Sequence, residues 1–233
     1  MDTITDGFFR ALFLILNLDR ELLDIIFLSL RVSGTALLIS AMIGIPAGAI
    51  LGLTEFPGRR FLVTILNTFM GLPPVVVGLF LYLLLSRSGP LGFMALLYSP
   101  TAMVIAQSVL ALPIVASLCQ AAIVSVDPII RQASLTLGAT PFQVAVTIVN
   151  EARYGILSGI IAGFGRVTAE VGAVLIVGGN IAGYTRVMTT TIALETDKGD
   201  FELALALGII LILLSALVTF ILNVFQRKGT ART

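Results

Sequence analysis

Long runs without a charged residue alternate with short polar segments along most of this chain. Four runs contain no Asp, Glu, Lys or Arg, and each is long enough to cross roughly 30 Å of hydrocarbon as a helix. A fifth run, 155–177, is charge-free except for Arg166 and Glu170. The pattern therefore predicts an all-α membrane protein with five transmembrane helices. The four uninterrupted runs are Val32–Thr54, Phe61–Ser86, Ser88–Val126 and Leu203–Gln226.

Proline marks the places where these helices start or bend. Ser99-Pro100 divides the long third run, so its helix is predicted near 99–124. Pro46, Pro113 and the pair Pro73-Pro74 fall inside spans, where each proline removes a backbone hydrogen bond. The pair predicts the sharpest bend. Broken helices mark cavities in transporters, although proline is also frequent in ordinary membrane helices.

The segment from Asp127 to Ala152 is polar, yet it lies between hydrophobic spans. Asp127 followed by proline is a good helix start, and Gly138 supplies the left-handed position that ends a helix. Thr140 and Gln143 then form a Thr-x-x-Gln capping box for a second helix. These signals predict a short helix over 128–137, a tight turn and a second helix. Together they form a stiff protrusion on one face of the membrane.

Composition narrows the class of protein. Of 233 residues, 58% are hydrophobic and only 12% are charged, which excludes a soluble domain of this length. There is no histidine, so the commonest metal ligand and proton shuttle is missing, and Cys119 is the only cysteine. A net charge of +1 gives no indication of nucleic-acid binding. An intramembrane enzyme has no support, because no metal-ligand set and no Gly-x-Ser-x-Gly elbow is present.

Basic residues next to the membrane indicate the orientation. Arg59-Arg60 and Arg227-Lys228 flank spans on the same side as the polar segment, which is therefore placed in the cytoplasm. The chain is then a multi-pass protein of the cell membrane, with its amino terminus outside and its carboxyl terminus cytoplasmic. Three parts are predicted: an extracytoplasmic or interfacial segment 1–28, a transmembrane domain 29–226 with a cytoplasmic loop 125–153, and a cytoplasmic tail 227–233.

Small residues line one face of the helix predicted over 155–177. Gly155, Gly159 and Gly163 recur every fourth residue, a pattern that lets two membrane helices approach closely. Arg166 and Glu170 fall on the same side, four residues apart. One hypothesis places Arg166, Glu170 and Gly163 in a translocation path or gate, the usual role of intramembrane charge. The other makes the two charges a structural ion pair, and exchanging them would separate the two hypotheses.

The cytoplasmic protrusion resembles that of the permease subunits of type I ABC importers. Those permeases carry a Glu-Ala-Ala-x-x-x-Gly loop followed by Ile-x-Leu-Pro, and here Gln132-Ala133-Ser134, Gly138 and Ile148–Glu151 occupy these places. The chain departs from the motif at Gln132, Ser134 and Glu151. The resemblance implies the type I permease fold, in which this helix is a coupling helix that docks on a cytoplasmic ATPase. The residues expected to couple to the ATPase are Gln132, Ala133, Ser134, Leu137, Gly138 and Ala139.

The segments Gly163–Ala173 and Val177–Arg186, followed by Thr189–Thr191, narrow the resemblance. They are similar to molybdate, sulfate and tungstate permeases, and most closely to the tungstate ones, over roughly residues 29–226. This implies ATP-driven import of a small tetrahedral oxyanion, with tungstate favoured and molybdate or sulfate as alternatives. It also implies a homodimer of permeases in membrane lipid, two cytoplasmic ATP-binding subunits and an extracytoplasmic substrate-binding protein.

ATP hydrolysis is expected on another chain. The sequence contains no Gly-Lys dipeptide and so no Walker A loop, which leaves ATP and Mg²⁺ to the partner ATPase and no cofactor to this chain. On the predicted outer side, Gly179, Asn180 and Arg186 form an outer gate or docking surface, or else a flexible loop whose glycines only turn the chain. An ion-coupled secondary transporter is the other functional hypothesis, although five spans without an inverted repeat disfavour it.

Overall fold

The computed structural model describes residues 9, 13 and 20–230, apart from the side chains at positions 225 and 227–230. Within these residues the fold contains no strand and consists of helices. Most of the predicted amino-terminal segment and the last three residues of the tail, 231–233, lie outside this part. The helices are α1 Arg20–Leu53, α2 Arg59–Phe69, α3 Pro74–Leu85, a 3₁₀ turn Gly92–Met94, α4 Pro100–Val124, α5 Pro128–Thr136, α6 Pro141–Glu151, α7 Arg153–Thr168, α8 Gly172–Gly178, α9 Met188–Lys198 and α10 Phe201–Thr230.

Three helices, α1, α4 and α10, are long and apolar enough to cross a membrane on their own. Two bent pairs qualify only when their halves are taken together, as a broken span or a re-entrant loop: α2 and α3 meet at 100°, and α6 and α7 meet at 59°. The described residues therefore give three to five spans, with the predicted five as the upper number, and in the fourth of these α7 ends at Thr168 and not at 177. The helix α1 begins at Arg20, well before the charge-free run Val32–Thr54 that predicted it. Its first turns contain charged residues, so a search for charge-free runs left them out.

The core of the fold is the contact between α1 and α4, which pack along each other over most of their length. Small residues allow this close approach. A side chain on Gly48 would come within 2.4 Å of the Ala116 carbonyl oxygen of α4. Ser40 adds a hydrogen bond, since its hydroxyl donates to the Ser108 carbonyl at 3.2 Å. In lipid, where apolar surface gives no drive for association, such van der Waals contact and interhelical bonds hold helices together.

The prolines do not all act alike. The helices α1 and α4 run without interruption through Pro46 and Pro113, whereas the chain breaks sharply at Pro73-Pro74, as predicted. The continuous helix predicted over 155–177 is wrong. The helix α7 ends at Thr168, and α8 begins only at Gly172. Side-chain hydrogen bonds, described below, satisfy the backbone groups freed by this break, and the sequence carries no proline or charge run to announce it.

The two ends of α1 lie beside different parts of the fold. One end of α1 lies beside the protrusion, where Leu53 and Arg131 line the same groove. Its other end lies beside the loop before α9, where Arg20 and Arg186 line the same cleft. Because 34 helical residues span about 50 Å, these two sites lie at opposite ends of the molecule. Apolar side chains such as Leu213 and Phe220 of α10 are exposed, as expected of a helix that faces lipid.

Candidate functional site: a coupling protrusion, a broken-helix junction and an outer loop

The protrusion has the caps that its sequence predicts. Asp127 accepts a hydrogen bond from the Ile129 amide at 2.9 Å, which satisfies a free donor at the start of α5. Gly138 ends the helix with φ +80°, and the Ala139 amide donates back to the Ser134 carbonyl, as in a Schellman motif. The Thr140–Gln143 capping box at the start of α6 has both of its hydrogen bonds. The predicted helix–turn–helix is confirmed.

The helix α5 stands away from the rest of the fold. No residue of α5 is buried, and Gln132, Ala133, Leu137 and Gly138 are exposed, while Ser134 and Ala139 are partly covered. Leu137 has 87% of its surface exposed, an unusual position for a leucine outside lipid. An exposed apolar tip at a membrane-flanking end is a surface suited to binding another protein.

The helix α6 anchors this protrusion to the transmembrane core. Val144 and Ile148 are buried against Cys119 and Ile123 of α4, together with Ile156 of α7. The helix α6 is therefore the element that joins α5 to both α4 and α7 through packed side chains.

Arg166 lies where the two broken helices meet. Its Nη2 atom donates a hydrogen bond to the Leu72 carbonyl oxygen at 3.1 Å, in the linker between α2 and α3. Its Nε atom is buried, and no residue in the described part of the chain accepts a hydrogen bond from it. The guanidinium therefore satisfies a carbonyl freed by the Pro73-Pro74 break.

Glu170 lies in the other break, between α7 and α8. Its side chain is 3% exposed, and its Oε1 atom accepts a hydrogen bond from the Ala173 amide at 2.8 Å. The carboxylate thus caps the start of α8, while its backbone carbonyl accepts a hydrogen bond from the Thr189 hydroxyl at 2.8 Å. Arg166 and Glu170 are not on one continuous helix, and the two side chains form no ion pair among the described residues. Each charge instead contacts a backbone group, and the choice between a gate and a structural role for the pair stays a prediction.

The half-helices α3 and α8 touch directly at this junction. A Cβ atom on Gly78 would lie 2.8 Å from the Ala173 Cα atom, and one on Gly172 would lie 3.0 Å from the Val75 Cγ2 atom. The contact at Gly78 leaves no room for a side chain, and the contact at Gly172 is tight. The two half-helices are therefore held together by close packing and by Arg166.

Gln107 is a polar residue of the junction that the sequence analysis missed. Its Nε2 atom donates to the Val167 carbonyl at 3.0 Å, which satisfies the carboxyl end of α7. It also lines a cavity of about 280 Å³ between α1, α7, α9 and α10, where Ser29, Thr168 and Thr189 contribute hydroxyl groups. The available signal was an amide inside an otherwise apolar run.

The predicted glycine face packs within the chain. A Cβ atom would lie 2.5 Å from Ala122 at Gly155, 3.1 Å from Leu118 at Gly159, and 2.8 Å from Val115 at Gly163. The face therefore lies against α4, as close helix packing predicts. Gly163 sits in this contact rather than in the junction with Arg166, and its role in a path or gate stays a prediction.

Hydrogen bonds fix the conformation of the outer loop, the segment between α8 and α9 that contains Gly179, Asn180 and Arg186. Gly179 and Asn180 both have positive φ, and the Asn180 side chain pairs with Thr190 through both of its polar atoms. Thr185 is fully buried, and its hydroxyl donates to the Gly178 carbonyl while accepting from the Ile181 amide. The loop thus has a defined shape, and it presents Arg186 toward Glu21 of α1 at 3.9 Å.

Comparison with known proteins agrees with this geometry. Residues 44–230 match the family described as the binding-protein-dependent transport system inner membrane component. The tungstate uptake system permease protein of Peptoclostridium acidaminophilum is 40% identical over 228 residues, which cover 98% of this chain and 100% of that protein. A probable anion ABC transporter permease of Haloferax volcanii is 44% identical over 198 residues, covering 83% and 85% of the two chains. Permeases named for molybdenum or sulfate transport are also similar, at up to 32% identity.

Solved structures share the fold. A bacterial ABC transporter involved in the import of the polysaccharide alginate has a chain that superposes with a TM-score of 0.74 at 21% identity. The match covers 93% of this chain and 82% of that one. At this level of identity the similarity concerns the fold alone.

Proposed function

We propose that this chain, which belongs to the family of binding-protein-dependent transport system inner membrane components, carries tungstate across the cell membrane. The members of this family are the permease subunits of ABC importers. Its relatives are permeases and not enzymes, so ATP hydrolysis belongs to a separate subunit. The single observation that carries the proposal is the 40% identity with a tungstate uptake permease over nearly the whole of both chains.

The importer needs two further kinds of subunit, an ATP-binding protein and a substrate-binding protein. The protrusion α5–α6 is the surface proposed to receive the ATPase. Its exposed Ala133 and Leu137 would enter a groove on that subunit, and closure of the ATPase would move α6 with the helices packed on it. The result is alternating access by rigid-body motion, in which each state is favoured by the partner that binds it best.

The broken-helix junction is proposed as the part of the path that changes. Transporters place discontinuous helices where substrate passes, because freed backbone groups are tolerated only beside protein or water. Arg166 supplies a positive charge there, and its unpaired Nε atom is a further donor within the described residues. A guanidinium suits an oxyanion, since its planar fork matches a pair of oxygen atoms.

The assembly is proposed to be a homodimer of this chain with two ATP-binding subunits. One face of α7 supports this proposal: Ala162, Gly165 and Ala169 are exposed, lie on one side of the helix, and leave space for a close neighbour. The amino terminus is proposed to be outside, since α5 must meet the ATPase in the cytoplasm and the start of α1 lies at the opposite end.

Molybdate or sulfate is the alternative substrate. Permeases named for those anions are less similar than the tungstate permease, at 32% identity or below against 40%. The specificity is expected to reside mainly in the binding protein, because a permease that held a dianion tightly would not release it. An ion-coupled secondary transporter is not proposed, since the matched family consists of inner membrane components of binding-protein-dependent transport systems.

Uptake measurements test this function. Cells lacking the chain, and the same cells carrying it on a plasmid, are given tungstate, molybdate or sulfate at submicromolar concentration, and the intracellular metal or sulfur is measured. We expect tungstate accumulation to fall in the deletion and to return with the plasmid. Loss of molybdate or sulfate alone would replace the substrate, and loss of none would refute oxyanion import. Affinity purification of the chain should also recover an ATPase subunit.

A further inference from the structure

A cleft opens at the end of the molecule opposite the protrusion. Its volume is about 650 Å³, and it lies between the start of α1, the start of α4 and the loop before α9. We call it the outer arginine cleft, because three arginines line it. The residues that carry the argument are Arg20, Arg31 and Arg186, with Glu21, Asp24 and Tyr184.

The charges of the outer arginine cleft do not cancel. Three guanidinium groups face two carboxylates, so the described lining carries one net positive charge. A cleft with walls of low dielectric concentrates the field of such a charge and raises the local concentration of anions. The described lining of the cleft therefore favours anions over cations.

Arg186 is the arginine of the outer arginine cleft that the structure holds most firmly. Its side chain is only 20% exposed, and its Nε atom is buried without a hydrogen-bond acceptor among residues 20–230 that the structure describes, so an anion in the cleft would meet its Nη atoms. Its Nη1 atom lies 3.9 Å from the Glu21 carboxylate, which is beyond hydrogen-bond distance. Thr185, fully buried, fixes the backbone just before it. The guanidinium is therefore held in place while part of its bonding capacity is unused.

We propose that the outer arginine cleft is a transient binding site for the tetrahedral dianion, in which the anion competes with the Glu21 carboxylate for Arg186. A guanidinium binds two oxygens of an oxyanion side by side, an arrangement stronger than the long contact to Glu21. The competing carboxylate keeps the affinity low, so that the anion moves on. The identity of the ligand rests on the proposed function, whereas the attraction of anions rests on the cleft itself.

The cleft is tested through its local potential. The protein is the permease in complex with its ATPase, in nanodiscs, with Cys119→Ser to remove the single buried thiol and Tyr184→Cys to place a reporter in the cleft. The rate of modification is measured with two methanethiosulfonate reagents of similar size, one anionic and one cationic, and each rate is divided by the rate of the same reagent with 2-mercaptoethanol in solution, because the thiolate itself favours the cation; the rates compared below are these ratios. We expect the anionic reagent to react faster, and millimolar tungstate to slow it.

Two matched variants give opposite changes. Arg186→Gln should lower the rate of the anionic reagent about threefold, and Glu21→Gln should raise it about threefold, as one unit charge across roughly 7 Å of water would do. Tungstate should no longer protect the cysteine in Arg186→Gln. Equal rates for both reagents, or no protection by tungstate in the unsubstituted cleft, would overturn the proposal.

Two further outcomes are distinguishable. If the substrate-free binding protein protects the cysteine while tungstate does not, the cleft is a docking surface and the anion site is refuted. Tungstate uptake by cells is measured in parallel. Uptake without protection refutes the cleft alone, whereas protection without uptake of any oxyanion refutes the proposed function and leaves an anion-binding cleft.

Discussion

Arg166 of α7 donates a hydrogen bond to the backbone carbonyl of Leu72, which lies 94 residues earlier in the chain, in the linker between α2 and α3. This bond connects two interrupted helices at the point where both are broken. The carbonyl is free because the following prolines end the regular helix, and an arginine satisfies it from a neighbouring helix. The charged side chain of Arg166 therefore links the bend between α2 and α3 to the end of α7.

Exchanging the two junction charges should abolish function. In Arg166→Glu with Glu170→Arg, a carboxylate would face the Leu72 carbonyl, and a guanidinium would face the Ala173 amide; neither pair can form a hydrogen bond. We expect loss of uptake and a fall in stability of about 1.5–3 kcal/mol or more, the range for one hydrogen bond to a charged group. Thermal unfolding in detergent and uptake in cells measure the two effects. Wild-type uptake by the exchanged protein would instead support the ion-pair hypothesis.

Glu170 should tolerate the loss of its charge better than the loss of its oxygen atoms. In Glu170→Gln the amide oxygen still accepts from the Ala173 amide, so α8 keeps its cap. In Glu170→Leu the cap is lost, and a fall in stability of about 1–2 kcal/mol is expected. The two variants are compared by thermal unfolding of the purified complex. Equal destabilisation by both would mean that the negative charge, and not the cap, is what the junction requires.

The sequence predicted the protrusion more accurately than the junction, and the reason is physical. Asp127, Gly138 and Thr140 act on backbone atoms within a few residues, so local signals alone fix α5 and the start of α6. The break between Thr168 and Gly172 combines a local cap, Glu170 on the Ala173 amide, with bonds from Gln107 and Thr189, which come from distant segments. Contacts between distant segments leave no periodic signal, and Glu170 was interpreted as the partner of Arg166, so 155–177 was predicted as one helix.

The same distinction holds for the glycines. Their spacing predicted a close helix contact but could not identify the neighbour, which the structure shows to be α4. Arg166 and Glu170 were predicted on one continuous helix, whereas the structure places them on either side of the end of α7, each bonded to a backbone group.

Two glycines of α7 provide a matched test of helix packing. A Cβ atom at Gly155 would lie 2.5 Å from the Ala122 Cβ atom, whereas one at Gly165 would meet nothing within 4 Å. Gly155→Ala should therefore destabilise the protein by about 1–3 kcal/mol through overpacking. Gly165→Ala should leave the stability of the single chain unchanged or slightly higher, because alanine favours helix more than glycine does. The melting temperatures of the two variants check this in detergent that keeps the chain monomeric, because Gly165 lies on the face proposed for the homodimer contact. A greater loss for Gly165→Ala than for Gly155→Ala under these conditions would contradict the packing assigned to both glycines.

Substitutions in the protrusion should separate ATP hydrolysis from transport. Gly138 has φ +80°, so Gly138→Asp strains the turn and adds a charge at the tip, while Ala133→Asp puts a carboxylate on the exposed apolar face of α5. Since no residue of α5 is buried, both proteins should still reach the membrane in normal amounts. We expect uptake to fall at least tenfold while the ATPase keeps hydrolysing ATP, measured on the reconstituted importer. Thr136→Ala is the control, because Thr136 is not among the residues expected to couple to the ATPase, and the change removes only a bond to the Gln132 carbonyl within the same helix; this variant should transport normally. Wild-type uptake by Gly138→Asp and Ala133→Asp would show that the ATPase is coupled to the membrane helices through a surface other than α5.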